Sequence, residues 1–181
     1  TSSTQGEGKS FVSANLAVAF AQAGERVLLI DADMRAPTLH AYFGLDRRKG
    51  LSLWLAEGGD PAAQLSQTGI AGLYLLPAGP ELRNPTEMQT AARLKTLLGW
   101  AKTGAHRIIV DTPPVVAVTD AMLWLEQVKR VLFVIMGGKT DVSLVELALS
   151  RIHLSSPDII GAVLNKLSDL PTDYYGYGYK H

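Results

Sequence analysis

The chain contains no cysteine, which excludes disulfide staples and thiolate metal centres and is compatible with a reducing compartment. It carries no excess charge either: 17 Lys and Arg offset 17 Asp and Glu, so bulk electrostatics favour neither a nucleic-acid groove nor an anionic membrane surface. No apolar run reaches the roughly 20 residues that a membrane-spanning helix needs, and no signal-peptide pattern is present. No methionine opens the sequence, which starts on "TSSTQGEGKS"; we expect a soluble piece of a longer chain. Aromatic residues are scarce, at 7%, yet four of the six tyrosines (Tyr174, Tyr175, Tyr177 and Tyr179) crowd into the closing "DYYGYGYKH". Glycine-spaced and polar, that segment has no core to serve. With 47% hydrophobic residues in 181, the remainder is long enough for one domain with a substantial core.

Apolar runs rich in β-formers alternate with stretches of helical period, the pattern of parallel strands joined by crossover helices. We expect strands at 26–31, 73–77, 107–111, 130–136 and 159–165, most with consecutive apolar residues as required of a strand buried on both faces. A first helix is expected from about Gly8 to Ala23, with Phe11, Val12, Leu16, Phe20 and Ala21 inward and Gly24 at its C-terminal cap. "NPTE" opens another, with Asn84 as N-cap, Pro85 in the first turn and Glu87 closing a capping box. Further helices begin near Thr119 or Asp120 and near Thr140. The apolar pattern stops after Leu167, which divides the chain into an α/β body, 1–167, and a flexible tyrosine-rich tail, 168–181.

The chemistry concentrates at "GEGKS". Gly6 and Gly8 allow a tight turn with inward N–H groups, the helix N-terminus adds a favourable dipole, and Lys9 neutralises phosphate charge. Ser10 is placed to hold Mg²⁺. The alternative is a glycine-rich turn that caps a helix. "LLIDADMR" and "RIIVDTPP" each end an apolar strand in aspartate, setting Asp31, Asp33 and Asp111 at the carboxyl edge where open α/β sheets hold ligands. An isolated aspartate there is ordinarily a turn or cap residue. Three of them beside a lysine-bearing loop match phosphates plus a hard cation better than metal-free anion binding does.

These segments in this order, followed by "VTDA", "GGKT", "GAVLN" and the tyrosine cluster, resemble the bacterial tyrosine kinases, the P-loop autokinases of capsule and exopolysaccharide export. "LPAGPELRNPTEM" extends the resemblance over nearly the whole chain. It implies a P-loop NTPase fold: a mostly parallel sheet with helices on both faces, whose first strand would precede the loop and is absent from this sequence. It implies ATP and Mg²⁺, with Gly6, Glu7, Gly8, Lys9, Ser10 and Phe11 at the nucleotide and Ser10, Asp33 and Asp111 at the metal. Lys9 would act on the terminal phosphates, and Asp31 would help deprotonate or orient an attacking tyrosine, with Asp33 positioning the metal or the base. Arg35 would add positive charge or else pair with a neighbouring acid. Asn165 would face adenine or else end a strand as a turn residue. The tail tyrosines would be the phosphorylated groups, modified in trans within a ring-like homo-oligomer. A membrane-spanning activator, fused or separate, and a cognate tyrosine phosphatase would be the partners, on the cytoplasmic side of a bacterial inner membrane.

Three departures qualify that resemblance. Ser3 stands at the first glycine of the general P-loop pattern, the strand before the loop is missing, and Thr38 stands where some family members carry a regulatory tyrosine. Tyr42, in "HAYFGL", is expected to be a packed aromatic. The rival within the same fold is a partitioning-type ATPase switch, which has a lysine where this chain has Thr4; a non-catalytic nucleotide-binding adaptor is a third. His40, His106, His153 and His181 show no metal-like pairing, and Trp54, Trp100 and Trp124 are expected to be core or interface anchors. Ser13 and Ser155 lack catalytic context and are expected to be structural. Basic and aromatic residues do not interleave in a way that suggests nucleic acid.

Overall fold

In the computed structural model, residues 1–81 and 85–167 are described, those at 85 and 86 by backbone alone. The Asn84 cap and the tail tyrosines lie outside the described residues. The centre is β1 (Val27–Asp31), every residue of which is buried. It pairs in parallel with β3 (Leu73–Leu76) on one side and β4 (Arg107–Asp111) on the other, and a short β2 (Ser66–Gln67), not anticipated from the sequence, runs antiparallel to β3. A second sheet pairs β5 (Arg130–Met136) in parallel with β6 (Asp158–Asn165).

Alternate side chains of β1 go to opposite layers, as strand geometry dictates. Val27 and Leu29 pack with Leu39 and with Ala14, Ala17 and Ala21 of α1 (Lys9–Gln22), while Leu28 and Ile30 pack against α3 (Leu51–Glu57), α5 (Ala91–Gly104) and Trp124. Helices therefore cover both faces of the sheet. Each of these aliphatic side chains, fully buried, contributes on the order of 1.5–3 kcal/mol of hydrophobic transfer. Trp54 and Trp124 are core residues, and Trp100 packs against the same cluster.

Side-chain caps open α5 and the last helix, while α1 and α3 start on glycines without a side-chain cap. The α5 helix starts where the Thr90 side chain accepts from the Arg93 N–H, so "NPTE" opens only the one-turn α4 (Pro85–Met88). The other helices are α2 (Leu39–Tyr42), α6 (Asp120–Leu125) and α7 (Val142–Leu154), the last capped by Asp141. The inward face of α1 differs from expectation: its buried residues include the three alanines, whereas Phe11 is 54% exposed and Val12 and Leu16 are half-buried. Small residues let the helix lie close on the strands. The face of β6 carrying Ile160 and Leu164 is also exposed, because α7 and β5 cover one side of this terminal strand and its pattern alternates.

The two sheets meet at the N-terminal residues. Ser2 bridges Val134 in parallel, and the Val134 N–H donates to the Thr1 carbonyl at 2.9 Å. Below that bridge a cavity of about 490 Å³ separates β4 from β5, with Val12, Leu16, Ile108 and Val131 among its walls. This interruption lies where the strand expected ahead of the phosphate loop would run.

Because α1 carries the loop's lysine and serine, its closeness to the sheet can be tested. Ala17→Leu should cost about 1–3 kcal/mol through overpacking, read as a lowered urea midpoint, and should weaken nucleotide binding at the same time.

Candidate functional site

The loop from Gly6 to Ser10 turns through two left-handed glycines before α1 begins. Gly6 has φ 86° and Gly8, the N-cap, φ 95°. A Cβ on Gly6 would meet nothing, so its backbone angle alone calls for glycine; on Gly8 it would also fall 2.0 Å from Asn165 Nδ2. The loop thus delivers the free N–H groups of the first turn of α1 to one side, the arrangement that receives phosphate. Lys9 follows, with 7% exposure.

Register then brings the acids together. β1 and β4 pair so that Asp31 lies beside Asp111, and the Ala32 N–H donates to the Asp111 carbonyl at 2.8 Å. Both aspartates are buried, and Asp33, two residues on, is 7% exposed. Asp31 Oδ2 accepts from the Leu39 N–H at 3.2 Å and Asp33 Oδ1 from the Ala36 N–H at 3.1 Å. Asp111 Oδ1 accepts from Ser13 Oγ at 3.3 Å, and Ser10 also hydrogen-bonds to this carboxylate.

Burial pushes the Asp31 carboxyl up to about 8, helped by the charges of Asp111 and Asp33 and opposed by the Leu39 N–H. Asp111 is likewise raised by burial, against the Ser10 hydrogen bond and the charge of Lys9. Asp31 Oδ1 and Asp111 Oδ2 are buried without a hydrogen-bond partner. Clustered carboxylates with unsatisfied oxygens, next to a serine hydroxyl and a phosphate loop, fit Mg²⁺. That ion is bound through one or two protein oxygens, water and phosphates rather than by a cage. Among the described residues, no three His, Cys, Asp or Glu converge as a ready-made metal cage.

A cavity of about 480 Å³ opens over the loop. Gly6, Gly8, Lys9, Ser10, Phe11, Asp33 and Asn165 all line it. Two expectations, an inward Phe11 and a packed Tyr42, change on this geometry. Phe11, outward on α1, turns to the cavity. Glu7, 1% exposed, directs its side chain to Thr4 and Thr140. Arg35 pairs with buried Asp120 at 2.9 Å, the ion-pair alternative. Tyr42 is 53% exposed and lines the cavity instead of packing, since the one-turn α2 buries Leu39. Asn165 reaches the loop, its Nδ2 donating to the Glu7 carbonyl at 2.9 Å.

Ser13 and Lys166 escaped the sequence reading as site residues. Ser13 lies three positions after Ser10, on the same helix face, and that spacing was a usable signal. Lys166 donates to the Gly6 carbonyl at 2.8 Å, from a left-handed backbone (φ 53°) that no sequence signal marks.

Comparison with known proteins agrees with this geometry. Residues 1–172 match the family described as the CobQ/CobB/MinD/ParA nucleotide binding domain. The chain is 36% identical over 178 residues to the putative tyrosine-protein kinase CapB of Staphylococcus aureus, covering 98% of this chain and 78% of CapB. It is 38% identical over 172 residues to the tyrosine-protein kinase wzc of Salmonella typhi, covering 95% of this chain but 24% of that protein. Among solved structures, the kinase domain of Escherichia coli tyrosine kinase ETK matches with a TM-score of 0.89 at 34% identity, over 100% of this chain and 71% of the other.

The raised Asp31 carboxyl makes stability depend on pH. Its value in the unfolded chain is near 3.8 and in the folded chain about 8, so between these the folded state holds a proton that the unfolded state has released. The contribution is complete below about pH 4 and is lost as pH rises to 8. In metal-free buffer the urea midpoint should fall across that window, and Asp31→Asn should flatten the fall.

Proposed function

The chain belongs to the bacterial tyrosine kinase family, and from that membership we propose that it transfers the γ-phosphoryl group of ATP to tyrosines 174, 175, 177 and 179 of its own kind. The observation that carries this reading is the cavity in which the Gly6–Ser10 cradle opens with Lys9 and Asp33 in its lining, while Asp31 and Asp111 lie buried side by side at the ends of β1 and β4. A phenol, with pKa about 10, attacks poorly at neutral pH until a base takes its proton. Asp31, raised to about 8, has the proton affinity for that task in its ionised form, a fraction that grows as pH rises toward 8. The phenol oxygen bonds to the γ-phosphorus, the bond from phosphorus to the ADP oxygen breaks, and the phenolic proton goes to Asp31.

Lys9 and the loop amides oppose the charge of the transferring group, and this electrostatic contribution is the larger part of the barrier reduction. Ser10 and Asp111 would hold Mg²⁺, with Asp33 beside them. When bound, that ion neutralises phosphate charge and orients the terminal phosphates. Asn165 would meet the base end of the nucleotide. Residues 1–167 form the catalytic body in this reading and 168–181 the acceptor tail, entering a neighbour's site within a ring-like oligomer. Each added phosphate brings about −1.5 to −2 charge, so a modified tail would be repelled by the aspartates and release the assembly. Attachment to a membrane activator on the cytoplasmic side, control of polysaccharide export and reversal by a tyrosine phosphatase complete the proposal. A partitioning-type switch has less support, since Thr4 replaces its signature lysine and donates its N–H to Glu7.

The test is phosphate mapping by mass spectrometry after incubation of the native-length protein with Mg·ATP. Label should appear on the four tail tyrosines, disappear in Lys9→Met, and accumulate about 100-fold more slowly in Asp31→Asn. ATP hydrolysis with a bare tail would overturn the kinase reading in favour of the switch.

A further inference from the structure

Glu7 is a carboxylate in the middle of a loop built to receive an anion. Its side chain is 1% exposed, so its charge is poorly screened and would oppose phosphate unless held elsewhere. It is held at both oxygens. Oε2 accepts from the Thr4 N–H at 2.7 Å, and Oε1 accepts from the Thr140 hydroxyl. That hydroxyl has one proton and gives it to Glu7, while its oxygen accepts from the Met136 N–H at 3.0 Å. A continuous path therefore runs from the entry of the loop, through its midpoint, to the last residue of β5 and the turn into α7. The backbone of the same loop is held from β6 by Asn165 and Lys166, which donate to the Glu7 and Gly6 carbonyls.

We propose that Glu7 is a positioning residue which, clamped by Thr140, fixes the curvature of the phosphate loop and ties nucleotide occupancy to the turn between β5 and α7. This goes beyond the loop's backbone contacts with phosphate, and it rests on nucleotide binding by the loop, not on phosphorylation of the tail. "GGKT" thereby acquires a role. Its threonine is not in the lining of the cavity over the loop, and it acts through Glu7. Occupancy of the loop and movement at the start of α7 are coupled in both directions, as any linkage between two sites requires.

The sign of one substitution separates positioning from simple charge. Glu7→Gln removes a negative charge close to where phosphate binds; if charge were the whole effect, affinity for nucleotide would rise. A glutamine keeps one acceptor oxygen where Glu7 uses two and can meet the Thr140 oxygen only through its amide N–H, so the charge-assisted bond from that hydroxyl is lost, the clamp weakens and affinity falls. We expect Mg²⁺ and a fluorescent ATP analogue to bind Glu7→Gln and Thr140→Val each about tenfold more weakly, the equivalent of one charge-assisted hydrogen bond. Thr140→Ser, which keeps the hydroxyl, should bind within about twofold of the parent chain. The Glu7→Gln, Thr140→Val double variant should lose no more than either single one, because both break the same path. Thermal midpoints measured alongside identify any variant that binds weakly through unfolding, and Thr140→Ser then carries the decision: restored binding supports the clamp. Tighter binding by Glu7→Gln, parent-like binding by Thr140→Val, or losses that multiply in the double variant overturn it. An unlabelled tail in variants that follow this pattern would sink the kinase reading and leave the clamp standing.

Discussion

The parallel pairing of β1 with β4 is the constraint from which the site follows. It sets Asp31 beside Asp111 at the carboxyl end of the sheet, where burial and the charge of Asp111 raise Asp31's hold on a proton. Everything around them answers that buried charge. Ser10 and Ser13 donate to Asp111, the Leu39 N–H donates to Asp31, and Lys9 adds a nearby cation. The residual deficit, one unpaired oxygen on each carboxylate, is the demand that a divalent cation with phosphate would meet. The sheet's geometry and the chemistry are thus not separable: a one-residue slip of β4 would take Asp111 off this face altogether.

What the sequence made legible was the order of parts. Strands with consecutive apolar residues appear within a residue or so of the expected limits, because runs of β-formers bounded by polar residues mark a strand whether both its faces are buried, as in β1, or only one, as in β6. The aspartates were readable because they end those strands, and the loop because glycine is needed where φ is positive. Side-chain direction was less legible. Phe11 fits an apolar stripe by spacing, yet at a helix start that spacing does not say whether the ring meets the sheet or the cavity. The sheet prefers the alanines, which allow closer approach.

Partners distant in sequence were beyond reach for a different reason. Glu7 and Thr140 are separated by 133 positions, and nothing local to "GEGKS" or "GGKT" announces their contact. Arg35 with Asp120 is intermediate: a neighbouring acid was an open alternative, but which acid depended on how α6 packs. Tyr42 went astray because α2 is a single turn, too short for periodicity to define an inner side. The interrupted sheet was foreseeable from the loop's need for a preceding strand, and it shows in the half-buried Val12 and Leu16 beside the gap.

The contact between Gly8 and Asn165 has a bearing on how such a chain can change over generations. The asparagine amide occupies the volume that a side chain at position 8 would need, so the two positions are mutually exclusive claimants on one space. No substitution at the first can be accepted without displacing the second. Asn165 and Gly8 both line the cavity over the loop, so their contact fixes one stretch of its wall and neither can change alone without altering its shape. Inheritance therefore sees these two distant residues as a single character.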